Sequence, residues 1–326
     1  MKWIRIAVCA TAALFAGQAT AQTWPTRPIK LLIPIAAGGA TDQMARMVAA
    51  RLSVALGQQV VPENLTGASG AIALQRLSQS EPDGYTLGAT ASSLHTIAPH
   101  TSKLPYDAVN GFTPIGTYAS FDYLMVVGTS SPVTSLVDLL ERAKKAPMEV
   151  SFASSGIGTG NHLAGVLLGK MTGAELNSIP YRGGNPAMVD VMAGRTTFIF
   201  DVLGGSAPLV QGGKLRAVAN SGPKRHRLFP DTPAVAELVP GFEATGWFGL
   251  IGPPKLPPEI ARRVNSELAK ILGSNEYRDQ LQAQGYDPLP GSSDDMARRM
   301  KIDAAKWGEV VRTLPCTLIT DRPGCP

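Results

Sequence analysis

Glycines, hydroxyls and a few charged side chains gather in three short stretches of this chain. The first is Gly38-Gly39-Ala40-Thr41-Asp42, which follows a short β-branched and leucine-rich run that begins at Ile29. That order reads as strand, loop and helix, with Thr41 where the helix N-cap is expected. Backbone N–H groups at a helix start lack intrahelical acceptors and carry partial positive charge, so they favour a small anion such as a carboxylate. The stretch has no Lys-Ser/Thr of a phosphate-binding P-loop and does not match G-x-G-x-x-G. A glycine pair before a helix also serves as plain structural punctuation, and both readings stay open here. Asp42 suits the dipole of the first turn but would compete with a bound anion if it pointed inward. Helix stabilisation or a water bridge is therefore its expected role.

The second stretch is Ser154-Ser155-Gly156-Ile157-Gly158-Thr159-Gly160-Asn161-His162. Its hydroxyls and backbone N–H groups suit a carboxylate or a hydroxyl, and it reads equally as a flexible loop. A nucleophile elbow needs G-x-S-x-G, whereas these serines precede the glycines. His162 beside the loop is no sign of a general base without a demonstrable Ser-His-Asp arrangement. The third stretch, Pro180-Tyr181-Arg182-Gly183-Gly184, offers an aromatic wall and a cation, although Arg182 reads as well as a surface residue. Asp201 closes an apolar run ahead of Gly204-Gly205, where it would accept a hydrogen bond from a ligand donor or cap the next helix.

Alternating strand-like and helix-like segments must position these residues, which points to an α/β architecture with mostly parallel sheets. Apolar positions at Met44, Met47, Val48, Leu52, Ala55 and Leu56 predict a helix over 41–56, ended by Gly57 as a C′ glycine. Val60-Val61 opens a second strand, a helix runs from 67–70 to about residue 80, and Asp83-Gly84 turns into a strand over 85–89. Ser92 lies at the far end of that strand. A strand is expected over 124–128 and a helix over 135–145. The pattern then restarts with a strand over 150–154 and a helix over 163–171. Asn185 is expected to cap a helix with Pro186 at its first position. Strands follow over 196–201, 215–219 and 247–252, and amphipathic helices over 258–272 and 294–311. The unit at 29–56 is echoed at 150–171. Two such units facing each other would build a cleft with helix N-termini on both walls.

Compartment and class follow from the rest. Residues 1–21 carry Lys2 and Arg5, a short apolar stretch, and Ala19-Thr20-Ala21 as a small-residue cleavage site, which reads as an export signal. No later segment has the ~20 apolar residues of a transmembrane helix, so a periplasmic or secreted protein is expected. About 300 remaining residues suggest two lobes. Removing the signal takes the formal charge from +5 to +3. The densest basic run, Lys224-Arg225-His226-Arg227, has no interleaved aromatics, so no nucleic acid is expected. The four histidines and the remaining Cys316 and Cys325 lack metal-ligand spacing, so no structural zinc is expected either. The two cysteines have the means to close a short disulfide loop.

At these residues the chain resembles the periplasmic solute-binding receptors of tripartite tricarboxylate transporters, the TctC or Bug family. The resemblance spans residues 24 to about 312. It rests on Trp24-Pro25-Thr26-Arg27-Pro28-Ile29, the stretch 34–42, Glu81-Pro82-Asp83-Gly84-Tyr85-Thr86-Leu87, Leu104-Pro105-Tyr106-Asp107, His162-Leu163-Ala164-Gly165, Pro180-Tyr181-Arg182-Gly183 with Pro186-Ala187, and Gly241-Phe242-Glu243-Ala244-Thr245. The chain departs from the family at Pro34-Ile35-Ala36-Ala37-Gly38-Gly39, which stands where Pro-Phe-Pro-Ala-Gly-Gly is usual. Asn64-Leu65-Thr66-Gly67-Ala68-Ser69-Gly70 replaces the common Asn-Arg-Pro-Gly-Ala-Gly-Gly, Val166 stands where an acid often follows Ala-Gly, and the tail from Leu314 is atypical.

The resemblance implies a two-lobed α/β fold of the type II periplasmic-binding-protein (Venus flytrap) class, with two crossovers, no catalysis and no cofactor. It implies that Ile35, Ala36, Ala37, Gly38, Gly39 and Thr41 hold one carboxylate, partly through ordered water. The opposite lobe contributes Ser154, Ser155, Gly156, Gly158, Thr159 and His162, then Tyr181, Arg182 and Gly183, while Asp201 influences the ligand's other end. Asp42 and Ser92 complete the expected set. Lobe 1 is expected over 22–127 and 226–326, with a loose tail from 314, and lobe 2 over 128–225. The function expected is a monomeric receptor that captures a small organic carboxylate for the permease subunits of a tripartite tricarboxylate transporter. A periplasmic ligand sensor feeding a signalling partner shares every one of these features. An exported hydrolase finds no support in the motifs.

Overall fold

The computed structural model describes residues 24–312 and Leu314. The expected export signal and the two tail cysteines lie outside the described residues. The chain runs through β1 (Ile29–Ile33), α1 (Ala40–Leu56), β2 (Val60–Asn64), α2 (Ala71–Ser78) and β3 (Thr86–Ala91). Two short helices, α3 (Ser93–Thr96) and α4 (Ala98–Thr101), lead to the long strand β4 (Thr113–Gly128). Then come α5 (Leu136–Lys145), β5 (Ser151–Ser154), α6 (Gly160–Thr172), β6 (Asn177–Pro180), α7 (Gly184–Met192), β7 (Phe198–Val202), α8 (Leu203–Gln211) and β8 (Leu215–Asn220). The chain finishes with α9 (Val235–Leu238), β9 (Thr245–Gly252), α10 (Pro258–Gly273), α11 (Asn275–Ala283), β10 (Asp287–Pro288) and α12 (Ser293–Arg312).

Local chemistry explains the helices that bear on the cleft. Helix α1 buries Met44, Ala45, Val48, Ala49, Leu52 and Leu56, a stripe at helical spacing, and stops at Gly57, whose φ of +69° only glycine adopts freely. Its start differs from expectation: Gly39 is the N-cap and Thr41 lies inside the first turn, buried. Similarly α7 begins at Gly184 behind Gly183, so Asn185 is not its cap. In both places glycine supplies the non-helical entry geometry, and a hydroxyl or amide cap is not used.

The strands form a two-lobed α/β architecture. Strand order is β2-β1-β3-β9-β4-β7-β5-β6, with β10 and β8 also paired to β4. Strands β1, β2 and β3 are mutually parallel, as are β5, β6 and β7, each set built with crossover helices. All pairs made by β4, and the pair β3–β9, are antiparallel. The expectation of mostly parallel sheets is therefore corrected. Strands that arrive from the other lobe come without a crossover helix, and nothing forces them to run parallel.

Strand β4 is the first connection between lobes. Its residues 113–122 pair with β9, and from Tyr123 onward it pairs with β7 and β8. The second connection runs from β8 to β9. Buried Ser221 ties the two together: its Oγ accepts from the Tyr123 N–H at 2.8 Å and donates to the Ala244 carbonyl at 2.5 Å. The Ser221 N–H donates to the Tyr123 carbonyl at 2.9 Å, and the Ala244 N–H to the Ser221 carbonyl at 3.0 Å. Gly222 and Gly246 let the strands close up, because a Cβ there would overlap Asp122 and Phe121. Among the described residues no helix is long and apolar enough to cross a membrane.

Candidate functional site

Four loops follow the carboxyl ends of parallel strands, and they carry almost all the candidate residues. The loop between β1 and α1 is exposed over Ala36–Gly38 and is fixed from beneath by polar side chains. Asp42 Oδ2 accepts from the Gly38 N–H at 2.9 Å, and Oδ1 accepts from Asn64 Nδ2 at 2.8 Å and Arg46 Nε at 2.9 Å. Asn64 also donates to the Ile35 carbonyl at 2.9 Å, and Arg46 reaches Asn64 Oδ1 at 2.7 Å. The Asp42 side chain is 4% exposed, and although burial works against its charge, these donors outweigh it and hold the carboxyl below its usual range. Its charge is consumed by the loop, which removes the conflict with a bound anion. Gly39 gives α1 no side-chain cap, so the first-turn N–H groups keep their donor capacity.

In the second lobe the loop between β5 and α6 is organised by Asn161, to which the sequence assigns no individual role. The Ser155 N–H donates to Asn161 Oδ1 at 3.3 Å, and Asn161 Nδ2 donates to Ser155 Oγ at 2.8 Å. The Thr159 hydroxyl lies 2.6 Å from both Asn161 Oδ1 and the Gly156 carbonyl. Because Ser155 Oγ accepts here, its own O–H remains a donor. Helix α6 starts behind Thr159 without a side-chain cap, and α7 does so behind Gly183. The loop at 181–183 is joined to this one, since the N–H groups of Tyr181 and Gly183 donate to the carbonyls of Ser154 and Ser155 at 2.9 and 3.2 Å. Arg182 is exposed, and Tyr181 directs its hydroxyl to Asp190 at 2.6 Å.

Asp201 lies between the joined loops. A Cβ on Gly184 would stand 3.6 Å from Ser155 Oγ and 3.9 Å from Asp201 Oδ1, and one on Gly205 would stand 2.9 Å from Asp201 Oδ2. Burial dominates at this carboxyl and pushes it up to about 7, opposed only by the Val202 N–H. Two buried phenols feel its charge, Tyr123 on β4 and Tyr286 after α11, and the Tyr286 hydroxyl has no protein partner among the described residues. The sequence carries no signal for Tyr286, which lies far along the chain, just before β10.

The remaining candidates are structural in their contacts. His162 is buried and held neutral, its burial lowering it to about 4, and its Nδ1 accepts from the Gly158 N–H at 3.4 Å. Ser154 Oγ is fully buried with no protein partner among the described residues. Ser92 lies at the end of β3, where its N–H donates to the Trp247 carbonyl at 2.8 Å and its Oγ accepts from the Trp247 N–H at 3.3 Å. The structure thus draws the candidates into two clusters, one at 35–42 and one at 154–162 with 181–184 and 201. The lobes meet near them, where a Cβ on Gly158 would lie 2.5 Å from Thr101 Oγ1. Two surface grooves of about 470 and 510 Å³ are lined by none of these residues. Among the described residues no group of three or more histidines, cysteines or acids is arranged to hold a metal.

Comparison with known proteins places this geometry among relatives. The family model described as "Tripartite tricarboxylate transporter family receptor" matches residues 44–315. Protein BugT of Bordetella pertussis is 33% identical over 300 residues, covering 91% of this chain and 92% of BugT. Among solved structures, an R. palustris protein with adipate superposes with a TM-score of 0.86 at 35% identity, covering 92% of this chain and 99% of that one. MatC from Rhodopseudomonas palustris, with bound malate, gives 0.82 at 26% identity, with 88% and 100% covered.

Proposed function

Because this chain belongs to the tripartite tricarboxylate transporter receptor family, a class of solute-binding receptors and not of enzymes, we propose that it captures a small organic carboxylate between its lobes, in the periplasm, and delivers it to membrane permease subunits. The observation that carries the reading is the pair of uncapped, glycine-led helix starts at Gly39 and Thr159–Gly160, one on each lobe, with Asp42 already neutralised by its own loop. One ligand carboxylate would take the N–H groups of the first cluster, in charge-assisted hydrogen bonds strengthened once lobe closure excludes water. The second cluster, through Ser155, Thr159, Tyr181, Arg182 and Asp201, would take the rest of the molecule. Adipate and malate, bound by two similar proteins, set the size of ligand to try first.

A thermal-shift screen against mono-, di- and tricarboxylates, amino acids and aromatic acids tests the reading. A ligand at ~100 times its Kd adds about 2.7 kcal/mol, a shift of several degrees. The first cluster is tested by Gly39→Pro. The φ of −74° at Gly39 suits proline, and the one bond lost, from the Gly39 N–H to the Ala36 carbonyl, is long at 3.4 Å, so the fold should persist. The ring would still crowd Ile35 and the open face of the turn. Loss of the shift with an unchanged Tm is expected, and an unchanged shift would remove this loop from the site.

A further inference from the structure

The second cluster contains a carboxylate with no cation to answer it. Asp201 is the penultimate residue of β7, and each element packed around it offers something different. Helix α8 brings its N-terminal backbone, with the Val202 N–H donating and Gly205 close against Oδ2, and has no ionisable side chain. Helix α7 brings Gly184, and its only ionisable side chain, Asp190, is turned away to Tyr181 and Arg195. The loop after β5 brings the Ser155 hydroxyl, strand β4 the phenol of Tyr123, and the segment before β10 the phenol of Tyr286. Arg182, on the adjoining loop, is exposed and forms no ion pair with Asp201, and no other cation among the described residues pairs with it. Tyr123 is itself pressed against the start of α6, since a Cβ on Gly160 would overlap its hydroxyl. The site therefore has donors for one negative charge and, apart from Arg182 at its exposed edge, no counter-charge for two.

Resting on the carboxylate-receptor reading, we infer that Asp201 makes capture of a dicarboxylate proton-linked: the ligand's far carboxylate and the Asp201 carboxylate share one proton, so the closed complex takes up a proton from solvent. Two carboxylates at hydrogen-bond distance in a water-poor site do not both ionise. The shared proton turns a repulsion into an O–H···O⁻ hydrogen bond, with no bond to carbon formed or broken. A raised Asp201 carboxyl lowers the cost of that protonation near neutral pH. A ligand whose far end is an amide needs no such proton, because the amide N–H donates to the ionised carboxylate.

The test compares adipate with its half-amide by titration calorimetry from pH 6 to pH 9, each in two buffers of different ionisation enthalpy to count protons. Above pH 7 the adipate affinity is expected to fall towards tenfold per pH unit, with close to one proton taken up, while the half-amide affinity changes less than threefold. Asp201→Asn should abolish both the slope and the proton count for adipate. Adipate binding that is flat from pH 6 to 9 without proton uptake overturns the linkage and leaves the receptor reading standing. Failure of both ligands to bind wild-type protein at pH 6 overturns the receptor reading for six-carbon acids and the linkage with it.

Discussion

Single residues divide into those proposed to face a ligand and those that hold the loops carrying them. Asp42 belongs to the second kind, spending both carboxylate oxygens on Gly38, Asn64 and Arg46. Asp201 is its opposite, a carboxyl with one backbone donor and no cation. The sign of its pH effect follows. Folded Asp201 keeps a proton up to about 7 that the unfolded chain releases near 3.8. Its presence therefore costs stability progressively as pH rises from about 4 to 7. Asp201→Asn should gain on wild type across that window and level off above it, by on the order of 2 kcal/mol after allowing for partial solvent access. Urea unfolding at pH 4.5 and pH 8 checks this, and an equal difference at both would refute it. His95 and His162, buried and lowered to about 4, act in the opposite sense in both proteins, so only the variant comparison isolates Asp201.

Elements meet at the hinge, where Ser221 bonds strand β4 to the segment that leads into β9. Removing its hydroxyl leaves the Tyr123 N–H and the Ala244 carbonyl buried and unanswered. Ser221→Ala should cost about 2–4 kcal/mol, since each orphaned buried group costs roughly 1–3. The midpoint of denaturant unfolding reports it, and a loss under 1 kcal/mol would show that the staple is redundant. The elements also show where sequence reading stops. A strand over 124–128 was legible from its apolar run, but the half of β4 at 113–122 was not. That half contains Pro114, Gly116, Thr117, Ser120 and Asp122, which carry no strand periodicity, and it is a strand because β9 pairs with it. Helix α11 escaped notice for the same kind of reason, as only Tyr277 and Leu281 are buried along it.

At the scale of the molecule, the proposed function has two lobes joined by two connections close on a ligand, which would shift that equilibrium only by its differential affinity for the closed form. Gly158 lies where the lobes meet, with φ of +76° and no room for a Cβ beside Thr101. Gly158→Ala should disfavour closure and weaken the binding of any ligand hit by tenfold or more, about 1.4 kcal/mol. Thr101→Ala in the same chain should recover part of that loss by removing the clashing hydroxyl. Calorimetry measures the affinity, and small-angle scattering measures ligand-induced compaction. Unaltered compaction in Gly158→Ala would show that this contact does not limit closure.

The sequence by itself determined the local machinery: glycine-led turns between strand and helix at 34–42 and 154–162, the polar loop at 180–184, and the acid at the end of β7. These follow from φ preferences, side-chain period and the unsatisfied N–H groups of helix starts, all of which act within a few residues. Family membership was legible too, from short motifs in a fixed order and spacing along the chain. Tertiary structure decided what those residues do. Asn64 locks a loop that precedes it by almost thirty residues, Tyr286 comes from the segment before β10 to stand against Gly204, close to Asp201, and Ser221 closes the hinge. Such contacts are set by which distant segments pack together, and packing leaves no periodic trace in the residues it joins.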